Sequence, residues 1–265
     1  MQTILGIGGP ALGLIAGPCT LESLELGLAC ARAVKHAADE HGLPAVFKAS
    51  FDKANRTSGT SRRGPGLAQG LDWLARIRDT VGIPVTTDVH DPSQVAPTAA
   101  VVDLLQIPAF LCRQTDLVQA CAASGTPVNL KKGQFLSAAE CGPLVEKAGG
   151  PGSVLLTERG TTFGYHDLVV DFRNLPRMRA LGVPVVFDAT HAVQRPGLAG
   201  TASGGDREYV PVLARASVAA GVDAVFLEVH PDPASAWSDA ATQLPLDALP
   251  ALLRSLVAIR GATTG

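Results

Sequence analysis

Four short runs in this chain carry side chains that could do chemistry together. They are Gly17-Pro18-Cys19, Asp188-Ala189-Thr190-His191, Glu228-Val229-His230-Pro231 and Ser238-Asp239. Between them they offer a thiol, an imidazole and two carboxylates: Cys19, His191, Glu228 and Asp239. Such a mixed set suits a catalytic divalent metal. Each residue also has an ordinary reading. Cys19 could be a buried small residue, His191 a satisfied loop histidine, Glu228 a carboxylate paired with a lysine, and Asp239 a helix N-cap.

A second group is basic and again sits where apolar runs end. It includes Lys48, Ser50, Lys53, Asn55 and Arg56 in Phe47–Arg56, with Ser61, Arg62 and Arg63 beyond. Lys131 and Lys132 close Asn129–Lys132, Arg159 follows Thr157-Glu158, and Gln106 and Arg113 flank Pro108–Cys112. Lys48 and Lys131 alternate with apolar neighbours, so each should point into an enclosed space. A buried ammonium is costly unless it meets an anion. The formal net charge is −2, which argues against a nucleic-acid or anionic-membrane surface. The basic residues are therefore a local feature, suited to one or two phosphates or carboxylates.

What must position these residues is a repeating framework. Eight short apolar runs read as strands: Leu12–Gly17, Ala45–Ser50, Pro84–His90, Leu104–Ala109, Pro127–Lys131, Ser153–Glu158, Pro184–Thr190 and Ala224–Val229. Amphipathic stretches separate them. In Leu67–Val81 the apolar residues Leu67, Leu71, Leu74, Ile77 and Val81 recur at helical spacing, and Leu249, Leu252, Leu253, Leu256 and Ile259 do the same near the end. Eight alternating units predict a (β/α)8 TIM barrel filling residues 1–265 as one domain, with a doubly wound sheet as the structural alternative. Thr3–Gly8 could form a short N-terminal β-hairpin closing the barrel bottom. Long loops follow the second, sixth, seventh and eighth strands, the face on which barrel enzymes build their sites. Closure of a barrel makes the seventh, eighth and first strands neighbours, which would gather Cys19, His191, Glu228 and Asp239.

The chain has 265 residues, 46% of them hydrophobic and 17% charged, as expected of a globular protein with a sizeable core. Five cysteines at irregular spacing (Cys19, Cys30, Cys112, Cys121 and Cys141) are no disulfide framework. With no signal-peptide pattern and no spanning apolar run, they fit a reducing cytoplasm.

Longer motifs then add a resemblance that covers Leu14 to Leu256. Phe47–Ser58, Gly64-Pro65-Gly66, Gln106–Asp116, Asn129–Phe135 and Phe163-Gly164-Tyr165 resemble the 3-deoxy-D-manno-octulosonate 8-phosphate synthases, also called 2-dehydro-3-deoxyphosphooctonate aldolases. So do Asp188–His191, Ser203-Gly204-Gly205, Glu228–Pro233 and Gln243–Leu246. The resemblance implies a transferase that condenses phosphoenolpyruvate with D-arabinose 5-phosphate and water, releasing phosphate, in lipopolysaccharide (KDO) biosynthesis. It implies that Lys131 and Arg159 hold the phosphate of phosphoenolpyruvate, with Lys48, Ser50, Lys53 and Gln106 completing that site. Asn55, Arg56, Ser61 and Arg63 would hold the sugar phosphate, and Arg113 would reach the site of a neighbouring subunit in a homotetramer. Lys48, Lys53, Asn55, Lys131, His191 and Asp239 form the implied catalytic set. Cys19 stands where metal-independent relatives carry Asn, and Ser238-Asp239 is a second mark of the metal-dependent class; the implied ligands are Cys19, His191, Glu228 and Asp239, for iron, zinc or manganese.

The related heptulosonate phosphate synthases, which use erythrose 4-phosphate, carry Lys-Pro-Arg-Thr where this chain has Lys53-Ala54-Asn55-Arg56. Gly59-Thr60 and Gly205-Asp206-Arg207 depart from the commoner pattern. Two other readings use the same residues. Lys48 or Lys131 could form a Schiff base, as in class I aldolases. A sugar-phosphate binding protein would use the basic residues but give the Cys/His/Glu/Asp group no purpose.

Overall fold

The computed structural model describes residues 2–54, 62–162, 167–199 and 202–263, without the side chains of 196–199, 202 and 203. Eight parallel strands form its centre: β1 (Gly13–Gly17), β2 (Ala45–Lys48), β3 (Val85–Asp88), β4 (Leu104–Ile107), β5 (Val128–Lys131), β6 (Val154–Glu158), β7 (Val185–Asp188) and β8 (Ala224–His230). Each pairs with the next, and β8 pairs back onto β1 with Gly17 opposite Glu228, so the sheet closes. Helices α1 (Leu24–Asp39), α2 (Leu67–Val81), α3 (Pro92–Ala99), α4 (Thr115–Ala123), α5 (Cys141–Lys147), α6 (Asn174–Arg179), α7 (Val210–Ala219) and α8 (Leu249–Thr263) alternate with the strands. The arrangement is the (β/α)8 barrel, and the doubly wound alternative is excluded by the β8–β1 pairing.

The helices obey simple local rules. The Ser23 side chain accepts the Leu26 amide and starts α1, whose stripe of Leu24, Cys30, Ala31, Val34 and Ala37 is buried. Helix α2 spans the residues its periodicity predicts and buries Leu71, Leu74 and Ile77. Cys30, Cys121 and Cys141 lie buried on α1, α4 and α5 as small core residues, and burial pushes their thiols up to about 12. Among the described residues no helix is long and apolar enough to cross a membrane.

Several strands are shorter than their apolar runs. Pro44, Pro84, Pro127 and Pro184 stand just outside them; a proline has no N–H for the ladder, yet each carbonyl accepts from the strand before, as Pro84 does from Phe47. At the other end Ser50, His90, Ala109 and Thr190 have already left the ladder for the loops. Strand β8 instead runs one residue beyond its expected end, because Val229 and His230 gain a partner in Leu244-Pro245. Ile4 and Ile7 bridge antiparallel, so Thr3–Gly8 forms only a minimal hairpin.

The barrel interior is layered by strand alternation. Ile15, Val46, Leu104, Leu155, Val186, Ala224 and Phe226 fill the lower part, sealed from below by Ile4 and Ile7. Two residues further along, the same faces carry Lys48, Gln106, Thr157, Asp188 and Glu228, joined by Asp88 and Lys131. The apolar layer is the floor and the polar layer is the mouth.

Gly17 allows the first turn out of the mouth. A Cβ there would stand 2.0 Å from the Lys48 carbonyl oxygen, so no larger residue fits without moving β2. Gly17→Ala should cost about 3 kcal/mol of stability by overpacking; the urea unfolding midpoint measures this, with Gly261→Ala, where a Cβ meets nothing within 4 Å and no positive φ is required, as the control without crowding.

Candidate active site and metal centre

Most charges in the mouth are withdrawn from water and must be matched within the wall, Asp239 alone among the carboxylates being half-buried. Lys48 Nζ donates to Glu228 Oε1 at 2.9 Å and to the Cys19 carbonyl at 3.1 Å. Lys131 Nζ donates to Asp188 Oδ2 at 2.6 Å and sits 3.7 Å above the centre of the Phe226 ring, at the top of the apolar floor. Burial draws the Lys131 ammonium below its ordinary value despite Asp188. Burial alone would raise Glu228, but the charges of Lys48, His191, Lys53 and Lys131 override it and hold the carboxyl at about 2.

A belt of hydrogen bonds runs around the opposite wall. Asp88 accepts from Ser50 and Gln106, with Lys53 Nζ 4.0 Å away. The belt continues from Asn129 to Gln106 at 2.9 Å and from Thr157 to Asn129 at 2.6 Å. Burial would raise Asp88 too, and Lys48 and Lys53 hold it far below the usual carboxylate range.

Across the mouth, ligand atoms of Cys19, Glu228 and Asp239 lie within 4.8 Å of one another. The Cys19 S–H donates to Asp239 Oδ2 at 3.0 Å, and Glu228 Oε2 is buried with no hydrogen-bond partner. Burial first, then Asp239 and Glu228, push the Cys19 thiol well above its usual value. A soft thiol held between two carboxylates, one oxygen of which lacks a donor, fits a divalent cation that would displace the thiol proton.

His191 stands beside the trio rather than inside it. Its Nδ1 lies 2.7 Å from Asp188 Oδ2 and its Nε2 3.7 Å from Glu228 Oε1. The Nδ1 contact is close but makes no hydrogen bond; it is the His191 backbone N–H that donates to Asp188 Oδ1, at 2.9 Å, and this places the ring with Nε2 facing Glu228. His191 is thus adjacent to the three carboxylate and thiol groups without completing their cluster.

The polypeptide around Asp239 is tightly specified. Asp239 adopts a left-handed backbone with φ of 50°, an uncommon state that a short polar side chain tolerates. The Gln243 amide holds it from below, accepting from the Cys19 N–H at 3.1 Å and donating to the Ser238 carbonyl at 2.7 Å. Gln194 holds it from the side, donating to Asp239 Oδ1 at 2.8 Å. Glu22 accepts the Trp237 amide at 2.8 Å and so ties the same loop to the end of β1.

Arg159 is almost fully buried at the edge of the mouth. Its Nη2 donates to the His191 carbonyl at 3.0 Å and to Gln194 Oε1 at 2.9 Å, while Nε has no hydrogen-bond partner. Burial lowers its guanidinium below the ordinary value.

Lys132 and Glu158, each next to a mouth residue, point the other way. They pair at 3.4 Å, almost completely buried. Lys132 Nζ also donates to the Gly133 and Leu136 carbonyls and to Thr161. Glu158 Oε1 accepts from the Arg159 and Gly160 amides at 2.9 and 2.7 Å, a turn that needs a positive φ (90°) at Gly160.

The expected site residues are therefore not all in one place. Lys48, Ser50, Lys53, Gln106, Lys131, Arg159, His191, Glu228, Asp239 and Cys19 share the mouth. Arg63 is exposed and bound to Asp52, with Nε to Oδ1 at 2.8 Å. Arg113 is exposed, outside the cluster. Asn55, Arg56 and Ser61, with Gly59-Thr60 and Phe163–Tyr165, lie outside the described residues. The unusual Asp206 pairs with Arg195 at 3.1 Å. Sequence reading passed over Gln194; it named Lys132, Glu158 and Gln243 within motifs but assigned no role to Gln243 and no pairing to Lys132 and Glu158.

Comparison with known proteins places the chain in a family. Residues 2–261 match the model of the DAHP synthetase I family. The chain belongs to that family. Among its relatives, the 2-dehydro-3-deoxyphosphooctonate aldolase of Nitratidesulfovibrio vulgaris (strain DP4) is 60% identical over 93% of this chain and 91% of its own length. Those of Bordetella petrii and Cyanothece sp. (strain PCC 7425) are 57% and 54% identical, over 94% and 97% of this chain and 91% and 96% of their own lengths.

The buried Lys132–Glu158 pair gives a direct test of how this rim is held. Lys132→Met and Glu158→Gln should each cost about 3 kcal/mol, because each strands one buried partner, whereas the double variant should cost less than the sum. Urea unfolding of the four proteins measures the coupling.

Proposed function

We propose that this family member condenses phosphoenolpyruvate with D-arabinose 5-phosphate and water, giving 3-deoxy-D-manno-octulosonate 8-phosphate and inorganic phosphate. The observation that carries the reading is the pairing of a buried cationic rim with a Cys/Glu/Asp trio, Cys19 and Glu228 buried and Asp239 half-buried, in one barrel mouth, in a chain 60% identical to an aldolase of that name.

Arg159, with a free Nε, and Lys131 bind the phosphate of phosphoenolpyruvate. Lys48, Lys53, Ser50 and Gln106 receive its carboxylate end. Asn55, Arg56, Ser61 and Arg63 take the sugar phosphate, for which Arg63 must exchange its exposed partner Asp52, a weak tie in solvent. Arg113, exposed on the turn after β4, serves the site of a neighbouring subunit in a homotetramer. Held face to face, carbon 3 of the enol attacks the sugar aldehyde, water adds at carbon 2, and the tetrahedral intermediate expels phosphate. Fixing both anions in one geometry supplies up to about 7–11 kcal/mol in favourable cases, and the preorganised cations stabilise charge as it moves to the leaving group.

Cys19, His191, Glu228 and Asp239 would hold a divalent ion (iron, zinc or manganese), which when bound supplies Lewis acidity to an aldehyde oxygen or to water. Asp188 keeps His191 oriented, and Lys48 keeps one oxygen of Glu228 turned toward the mouth, leaving the other for the ion. The Schiff-base reading is disfavoured by the engagement of both lysines with carboxylates. The reducing cytoplasm is the compartment that five unpaired thiols suit.

The central experiment is phosphate release from phosphoenolpyruvate with arabinose 5-phosphate and with erythrose 4-phosphate, before and after chelation. A higher kcat/KM with arabinose 5-phosphate is expected, with activity lost on chelation and restored by a divalent transition metal; preference for erythrose 4-phosphate overturns the substrate, and full activity with no metal by elemental analysis overturns the metal. Cys19→Ser should bind metal more weakly. Light scattering should give a tetramer, and a fully active monomer would exclude the shared role of Arg113.

A further inference from the structure

One neutral side chain joins the two halves of the mouth. Gln194 follows the short helical turn after β7 and is 8% exposed. Its Oε1 accepts from Arg159 Nη2 at 2.9 Å, and its Nε2 donates to Asp239 Oδ1 at 2.8 Å. The two contacts use opposite ends of one amide. A cation asks for an acceptor and a carboxylate asks for a donor, and among uncharged side chains of this length only glutamine offers both. A glutamate would face Asp239 with like charge, and an apolar residue would serve neither.

The partner at one end is incomplete, and the partner at the other is fully engaged, its Oδ2 also accepting from the Ser238 hydroxyl at 3.4 Å. Arg159 keeps a buried Nε without a hydrogen-bond partner, the group an incoming anion would take. Asp239 gives Oδ1 to Gln194 and keeps Oδ2 against the Cys19 thiol, toward the cation trio. Arg159 also donates to the His191 carbonyl. A shift of its guanidinium toward an anion is thus one hydrogen bond from the His191 main chain and, through Gln194, two from the carboxylate of Asp239.

We propose that Gln194 is a positioning residue that couples anion binding at Arg159 to divalent-cation binding at Cys19, Glu228 and Asp239. The inference rests on the reading of Arg159 as an anion clamp and of the trio as a cation site. An anion that fixes Arg159 fixes the amide, and the amide then holds Asp239 in the rotamer that presents Oδ2. Part of any favourable coupling is direct Coulomb attraction across the mouth, which survives loss of the amide. The remainder belongs to Gln194. Linkage requires the effect to be reciprocal, the cation tightening the anion by the same factor.

The test is an equilibrium one and needs no sugar. Co2+ binding to metal-free protein is followed by its thiolate absorption, with and without saturating inorganic phosphate. Phosphate binding is measured calorimetrically with and without Co2+. Wild-type protein should bind each about fivefold or more tightly in the presence of the other. Gln194→Met keeps the side-chain volume but removes both hydrogen bonds, and its coupling should fall at least threefold below wild type. Gln194→Asn keeps the amide but is too short to span both partners, and should behave like the Met variant; it decides the matter if Gln194→Met does not fold. Coupling that is absent in wild type, or unchanged within twofold in a folded variant, overturns the proposal. A wild-type protein that shows the coupling yet makes no eight-carbon product overturns the proposed reaction and leaves this inference standing.

Discussion

The dominant constraint on this molecule is the cost of holding charge inside a closed barrel. Among the described residues the mouth contains Lys48, Lys53, Lys131 and Arg159 against Asp88, Asp188, Glu228 and Asp239. None of these can be left alone at that depth, since the desolvation of one unpaired ion outweighs most single stabilising contacts. The pairs Lys48–Glu228 and Lys131–Asp188 therefore serve the folded state and the site at once. They hold the ammonium groups aimed into the mouth while no anionic ligand is there to meet them.

This balance sets what the site can accept. Four cations and four carboxylates leave it near neutrality with the Cys19 thiol protonated. A divalent ion that displaces that proton adds one positive charge, which offsets part of the negative charge a phosphate-bearing substrate brings. The two kinds of ligand are complementary in charge before any particular contact is considered. The contacts refine this: Phe226 supplies a low-dielectric floor beneath Lys131, and the Asp88–Gln106–Asn129–Thr157 belt fixes the far wall, with Asp88 its one charged member.

Precision around the trio comes from neutral groups. Two glutamine amides, Gln194 and Gln243, clamp a loop whose key residue, Asp239, sits in a left-handed conformation. Beneath the rim, the buried Lys132–Glu158 pair anchors the turn that carries Arg159. These supports lie one hydrogen bond behind the reactive groups, and they determine where an otherwise flexible arginine and aspartate point.

Much of the fold and site is legible in the sequence. Eight apolar runs ending in polar residues imply a barrel, since residues two apart share a face and the change from Val46 to Lys48, or from Val186 to Asp188, marks where the floor gives way to the mouth. Closure then makes Cys19 a neighbour of Glu228 and Asp239, each more than 200 residues further along the chain. What the sequence could not decide is direction and partner. Lys131 and Lys132 look alike in a row of letters, yet strand alternation sends one into the mouth and the other to a buried glutamate outside it. Arg63 reads as an anion ligand, but the returning chain sets it against Asp52. Gln194 and Gln243 carry no charge or periodic signal, and their roles exist only because the tertiary structure brings a cation, a carboxylate and a backbone amide to the two ends of each side chain. Residue type and spacing specify which groups can react; the packed barrel, through desolvation and hydrogen-bond geometry, specifies which of them meet.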